Sequence, residues 1–152
     1  MSPVIRAANP NDLNDIIELT KEIAQIEKAA FDPKGKVEKL NQALFSTPPH
    51  LYCLLVEQEK TIIGFATYST EFSLFEADIY LRINSLYIKP ASRRQSLGTS
   101  LINELKTQSR KLNCKSIRFF TPDFNNDAIA FYHSIGAKSL TAVRFYLDAS
   151  NS

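Results

Sequence analysis

Asn84-Ser-Leu-Tyr-Ile-Lys-Pro-Ala-Ser-Arg-Arg-Gln-Ser-Leu-Gly-Thr-Ser-Leu101 carries an apolar strand through a basic, glycine-containing turn and directly into an amphipathic helix. A helix start leaves four backbone N–H groups without intrahelical partners and carries the positive end of the helix dipole, so a phosphate placed there gains donors and field together. Lys89, Arg93 and Arg94 set mobile positive charge around the turn, and Gly98 lets backbone approach a ligand closely. The stretch reads as an anion cradle. A solvated turn ahead of a helix is the competing reading of the arginine pair.

Composition sets the limits. At 152 residues, 44% hydrophobic and 22% charged, the chain reads as one globular domain spanning residues 1–152. A net charge of +2 is too mild to argue for nucleic acid as a partner. No run of about 18 apolar residues exists to span a membrane, and the first residues lack the basic start and apolar core of a secretory signal, so the expected location is cytoplasmic. Cys53 and Cys114 are too few and too isolated for a disulfide framework or a zinc site, and no metal is expected. His50 and His133 stand alone and read as structural or surface residues.

Val4 to Ala7 is a short strand candidate, and Asn9, Pro10 and Asp12 supply a cap, a first-turn proline and an acidic first turn for the helix that follows. Leu13, Ile16, Ile17, Thr20, Ile23, Ala24 and Glu27 recur with a 3.6 period, and Glu27-Lys28 ends the stripe with charge. Val37, Leu40, Ala43 and Leu44 predict a second, shorter helix ended by Thr47-Pro-Pro49. The loop between these helices can form one wall of a pocket. Leu51–Gln58 and Thr61–Tyr68 form a predicted hairpin across Glu59-Lys60. Ser69 to Asp78 reads as a looser connector whose Phe72, Leu74 and Phe75 either pack on the sheet or close over a ligand.

A long strand from Ile79 to Ile88 precedes the helix marked by Leu97, Leu101, Ile102, Leu105 and Leu112, which Asn113 caps before the strand Ser116–Thr121. Strand, helix, strand in this order demands a right-handed crossover, and ligands of such sheets sit beyond the carboxyl ends of the strands. Residues 123–126 cap another helix that runs through His133 and ends at Ile135-Gly136-Ala137; strands Lys138–Thr141 and Arg144–Leu147 are expected to finish the domain.

Leu86-Tyr-Ile-x-Pro-x-x-Arg93-x-x-x-x-Gly98 leading into a helix, with Asn125-x-x-Ala-x-x-Phe-Tyr132-x-x-x-Gly-Ala137 near the end, resembles the GCN5-related N-acetyltransferases over almost the whole chain. Within that superfamily, Val4-Ile-Arg-Ala-Ala, Lys21-Glu-Ile-Ala-x-x-Glu27-Lys28 and the Asn125 motif are most similar to the diamine branch, the spermidine/spermine and thialysine-type enzymes. The resemblance implies an α/β (α+β) fold: a mixed, mostly antiparallel sheet of about six to seven strands, splayed at the middle and flanked by four helices.

It also implies a chemistry. Acetyl-CoA would lie in the split between the two central strands, its pantetheine pairing with backbone at Leu86, Tyr87 and Ile88 like an added strand. The pyrophosphate would fall on the amides of Arg94, Gln95, Ser96, Leu97, Gly98 and Thr99 beside Arg93, while Asn125 contacts the cofactor's far arm. Tyr132 matches the tyrosine that protonates the leaving thiolate as a primary amine of a small molecule, diamine or amino-acid-like, attacks the thioester directly in a ternary complex. From spacing alone, Tyr132 reads equally as a core residue. Glu27 and Asn84 match the acceptor side, and a homodimer is implied by the same likeness.

The family's arginine-glycine-x-glycine-x-glycine is here Arg93-Arg94-Gln95-Ser96-Leu97-Gly98, so Arg94 and Ser96 stand where glycines are usual. If the loop keeps its backbone, both take positive φ at about 1 kcal/mol each. An acidic pair of the diamine branch is replaced by Asn84-Ser85, leaving Glu27, Glu71, Glu76 and Asp78 as acidic candidates for an amine pocket. The eroded loop motivates a rival reading, a non-catalytic CoA-binding or interaction module, and acetylation of a protein amine is a third.

Overall fold

A computed structural model describes residues 2–150. The chain divides into two compact units between Phe120 and Thr121.

The first unit is built on a five-stranded sheet in the order β1-β2-β3-β4-β5. Strand β1 (Val4–Ala7) pairs antiparallel with β2 (Tyr52–Gln58), β2 with β3 (Thr61–Ser73), and β3 with β4 (Asp78–Ile88). Strand β5 (Ile117–Phe119) pairs parallel to β4 after the crossover through helix α3 (Leu97–Lys111). Among the described residues the sheet therefore has five strands, against the six to seven expected.

Helix α1 (Leu13–Ile26) starts as the cap residues predict. Asn9 caps a 3-10 turn over Pro10–Asp12, its side chain accepting from the Asn11 amide while the Asp12 carboxylate accepts from the Asn9 amide at 2.7 Å. Asp12 also receives both terminal nitrogens of Arg6, at 2.8 and 2.9 Å, which ties β1 to the helix start. Leu13, Ile16 and Leu19 of α1, with Leu44 of α2 (Lys36–Phe45), bury themselves on Cys53, Leu55, Phe65 and Tyr87 of the sheet. Paired positions Leu55, Phe65 and Tyr87 lie in one row across three strands, so strand alternation sends Leu54, Ala66 and Leu86 to the opposite face. Helix α3 packs against β4 and buries Leu97, Leu101, Ile102 and Leu105.

One element of this unit differs from expectation. The connector from Ser69 is not loose: β3 runs on to Ser73 and pairs with β4 down to Asp78, held by Glu71, which accepts from the Tyr80 hydroxyl at 2.7 Å and from Arg82 at 2.9 Å. Phe72, Leu74 and Phe75 at its tip are exposed, not packed on the sheet. The β2–β3 turn is made by Glu59 (φ 52°) and Lys60 (φ 65°), a left-handed pair that lets two-residue hairpins match strand twist even without Asn-Gly.

The second unit carries helix α4 (Asn126–Ser134). Asn125 is its N-cap, its side chain accepting from the Ala128 amide, and Gly136 (φ 91°) ends it in the left-handed conformation that favours glycine. The strands expected at Lys138–Thr141 and Arg144–Leu147 do not form among the described residues. Their β-rich composition is real, but a strand exists only where a ladder partner takes its N–H and C=O groups.

Candidate active site

Strand β4 is long, and β5 is short. Pairing between them covers only Leu81, Ile83 and the residue between, matched to Ile117 through Phe119. Beyond Ile83, β4 keeps β3 on one side, with Ser85, Leu86, Tyr87 and Ile88 opposite Thr67, Ala66, Phe65 and Gly64. On its other side, β5 has ended. Within the first unit the edge at Leu86–Ile88 therefore offers backbone donors and acceptors to an extended ligand, which is the geometry of strand addition.

A bulge in the β3–β4 ladder, where Thr67 meets Ser85 but Tyr68 meets Ile83, sets Asn84 off the ladder. Its side-chain amide donates to Ser69 at 3.2 Å, and the hydroxyls of Thr67 and Ser85 share a short hydrogen bond beside it. Gly64 shapes the end of the strand. A Cβ there would meet Ile88 Cδ1 at 2.5 Å and the Tyr87 carbonyl oxygen at 2.7 Å, so only glycine lets β3 and β4 run this close.

After Ile88 the chain turns through a 3-10 segment, Pro90–Ser92, and reaches the loop before α3. Arg93 folds back, donating from Nε to the Ile88 carbonyl at 2.9 Å with its guanidinium 5.6 Å from the centre of the Tyr87 ring. Tyr87 donates in turn to Glu22 at 3.4 Å, and burial pushes its hydroxyl pKa up. Lys89 lies 3.9 Å from the same carboxylate. Glu22 was not legible in sequence, since it sits off the apolar stripe of α1 and its partners are more than sixty residues away.

Arg94 has φ 67° and Ser96 φ 59°. Both positions where glycines are usual thus hold the left-handed conformation with ordinary side chains. Ser96 is the N-cap residue of α3 but makes no side-chain cap, and among the described residues no turn or cap hydrogen bond engages the amides from Arg94 through Thr99. Left-handed residues alternating with others turn successive N–H groups into a concavity, here continuous with a helix start. Leu97 has only its backbone to offer there, because its side chain is buried in the core. Arg93, Arg94, Gln95 and Ser96 are exposed. The residues present fit a diphosphate.

The remaining candidates lie on other elements. Glu27 is the C-cap residue of α1 and half-buried. Glu71, Glu76 and Asp78 are engaged: Glu71 by Tyr80 and Arg82, Glu76 by Arg118, and Asp78 with Lys115 at 3.9 Å. The Tyr80 hydroxyl and then Arg82 hold the Glu71 carboxyl below the usual carboxylate range, so it stays an anion committed to the hairpin. In the second unit, Tyr132 stands on α4 next to Phe131, ring centres 5.4 Å apart, and His133 meets the Ser139 hydroxyl at 3.1 Å. Cys53 and Cys114 are both free thiols.

These features are those of an acyltransferase sheet, and the family model described as the acetyltransferase (GNAT) family matches residues 14–137. The chain belongs to that family and is an N-acetyltransferase. Within it, the chain is similar to proteins of the diamine branch. It is 29% identical over 147 residues to a thialysine N-epsilon-acetyltransferase of Bos taurus, covering 91% of this chain and 85% of that one. It is 25% identical over 145 residues to the Homo sapiens spermidine/spermine N(1)-acetyltransferase-like protein 1, covering 91% of this chain and 21% of that longer one. A solved structure of a possible acetyltransferase from Clostridium difficile 630 shares the fold, with a TM-score of 0.82 at 20% identity over 98% of this chain and 99% of that one.

Proposed function

We propose that residues 1–152 act as one N-acetyltransferase domain that moves an acetyl group from acetyl-CoA to a primary amine of a small molecule, diamine or amino-acid-like, by direct attack in a ternary complex. The observation that carries this reading is the run of unengaged amides from Arg94 through Thr99, continuous with the strand edge at Leu86, Tyr87 and Ile88. The family match, which spans the division between the two units, supports treating the chain as one domain.

Bound acetyl-CoA supplies a thioester, a carbonyl already activated toward amines. The chain's own residues do the rest. Leu86 and Ile88 offer main-chain hydrogen bonds along β4, which fixes the direction in which the acyl arm lies. The amides following Arg93 hold the diphosphate, and Arg93 braces the end of β4 through the Ile88 carbonyl while adding charge. The family motif assigns Asn125 to the cofactor's far arm. Glu27 and Asn84 belong to the acceptor side.

The amine must be neutral when it attacks, so its extra proton leaves to water. As the new N–C bond forms, the C–S bond breaks and the sulfur takes the proton of the Tyr132 hydroxyl, the general-acid role the Asn125–Ala137 motif assigns to it; the acylated nitrogen sheds its surplus proton to water, and the tyrosinate recovers a proton from water. A cytoplasmic homodimer completes the proposal; no helix among the described residues is long and apolar enough to cross a membrane.

The test is thiol release from acetyl-CoA with a panel of amines, wild type against Tyr132→Phe, under conditions where chemistry limits the rate. Turnover that falls about 100-fold in the variant supports the proton-donor role. Full activity in Tyr132→Phe removes that role, and acetyl-CoA binding without turnover on any amine removes the acceptor class.

A further inference from the structure

Helices α1 and α2, with the segment joining them, enclose an open cleft of about 300 Å³, at the small end of the range for small-molecule sites. Its walls are apolar: Ile17 on α1, Phe31 on the joining segment, Leu40 and Ala43 on α2. Its polar groups are Thr20, Lys36 and Lys39. Thr20 spends its hydroxyl proton on the Ile16 carbonyl at 2.7 Å, so its oxygen can only accept. Lys36 places its ammonium 5.4 Å from the centre of the Phe31 ring, and neither lysine pairs with a carboxylate among the described residues. The nearby carboxylate of Glu38 accepts from Gln42 and does not line the cleft.

An apolar trough lined by two lysines and, among the described residues, by no carboxylate repels a polycation. It is complementary to a short apolar body that carries one anionic end. A carboxylate fits better than a neutral amide, because it accepts charge-assisted hydrogen bonds from both lysines. We propose that this cleft binds a small organic carboxylate with an aliphatic body through Lys36 and Lys39. Resting on the transferase reading, that carboxylate is the acceptor's own, so the acceptor class is an amino carboxylate rather than a diamine.

The test uses the full chain with 6-aminohexanoate, 6-aminohexanamide and 1,5-diaminopentane. Calorimetric titration without acetyl donor is expected to show the acid binding about tenfold more tightly than the amide, a preference lost in Lys36→Gln/Lys39→Gln and kept in Lys106→Gln on α3. In the transfer assay the acid should have the highest kcat/KM, and Lys39→Glu should shift preference toward the diamine. Both lysines are exposed, so these variants leave the core intact. Equal binding of acid and amide, or an acid preference that survives the double variant, overturns the cleft assignment even if acetyl transfer proceeds. Transfer to none of the three amines, with acid binding intact, overturns the acceptor statement and strikes the transferase reading while leaving the carboxylate site standing.

Discussion

The Nε of Arg93 donates to the carbonyl of Ile88 across 2.9 Å, tying the loop before α3 to the end of the strand it follows. One side chain thus fixes the angle between a strand edge and a row of amides. Removing it in Arg93→Ala should cost about 1 kcal/mol in urea unfolding and weaken CoA binding by about tenfold. Arg93→Lys keeps the charge but not the planar fork, so calorimetry should place its affinity between the two. An alanine variant with wild-type affinity would remove Arg93 from the cofactor site.

Gly64 is the counterpart on β3. A methyl group there meets a flexible side-chain end at Ile88 but unyielding backbone at Tyr87. Gly64→Ala should therefore lower stability by about 2 kcal/mol, read from the urea midpoint, and raise the KM for acetyl-CoA by shifting the end of β4. Unchanged stability would show that the strands have slack the packing does not suggest.

Arg94 and Ser96 pay for the loop in strain, about 1 kcal/mol each for the left-handed conformation. Glycine removes that cost but adds unfolded-chain entropy of about 0.5–1 kcal/mol, so Ser96→Gly should leave stability within about 0.5 kcal/mol of wild type. Ser96→Val puts a β-branched residue at positive φ and should destabilise by about 2 kcal/mol. Thermal unfolding of the pair checks the backbone directly: equal melting temperatures would contradict it.

Arg6 holds the Asp12 carboxyl below the usual carboxylate range by hydrogen bonding, helped by the Asn9 amide. A depressed pKa in the folded state means the pair stabilises fully above the unfolded value near about pH 4 and is lost as pH falls through the folded value. Asp12→Asn should cost about 2 kcal/mol at pH 7, with Arg6 left short of its main partner. The gap between variant and wild type should close in acid. A gap that stays constant from pH 7 to about pH 2 would mean the stabilisation is not ionic.

Much of this architecture was legible in the chain. The change from strand to helix period across residues 84–101 located β4 and α3, and the glycine pattern pointed to positive φ at Arg94 and Ser96, where the backbone has it. The extension of β3 to Ser73 was not legible, because Thr70 and Glu71 look like connector residues until Leu81 and Tyr80 are brought opposite them. Local composition cannot show a cross-strand partner. The same limit, with opposite sign, explains the strands expected after Lys138: residues suited to a sheet do not make one without a ladder. Gly64 looked like any strand glycine, and the approach of Tyr87 and Ile88 gives it meaning.

In the proposed function, the amides following Arg93 hold a diphosphate while the edge of β4 holds the arm attached to it. Titration calorimetry of the wild-type chain with CoA and then with pantetheine, which lacks the diphosphate, addresses it most directly. One CoA per chain and at least about tenfold weaker binding of pantetheine are expected. Pantetheine binding as tightly as CoA, or no binding of CoA at all, would contradict it.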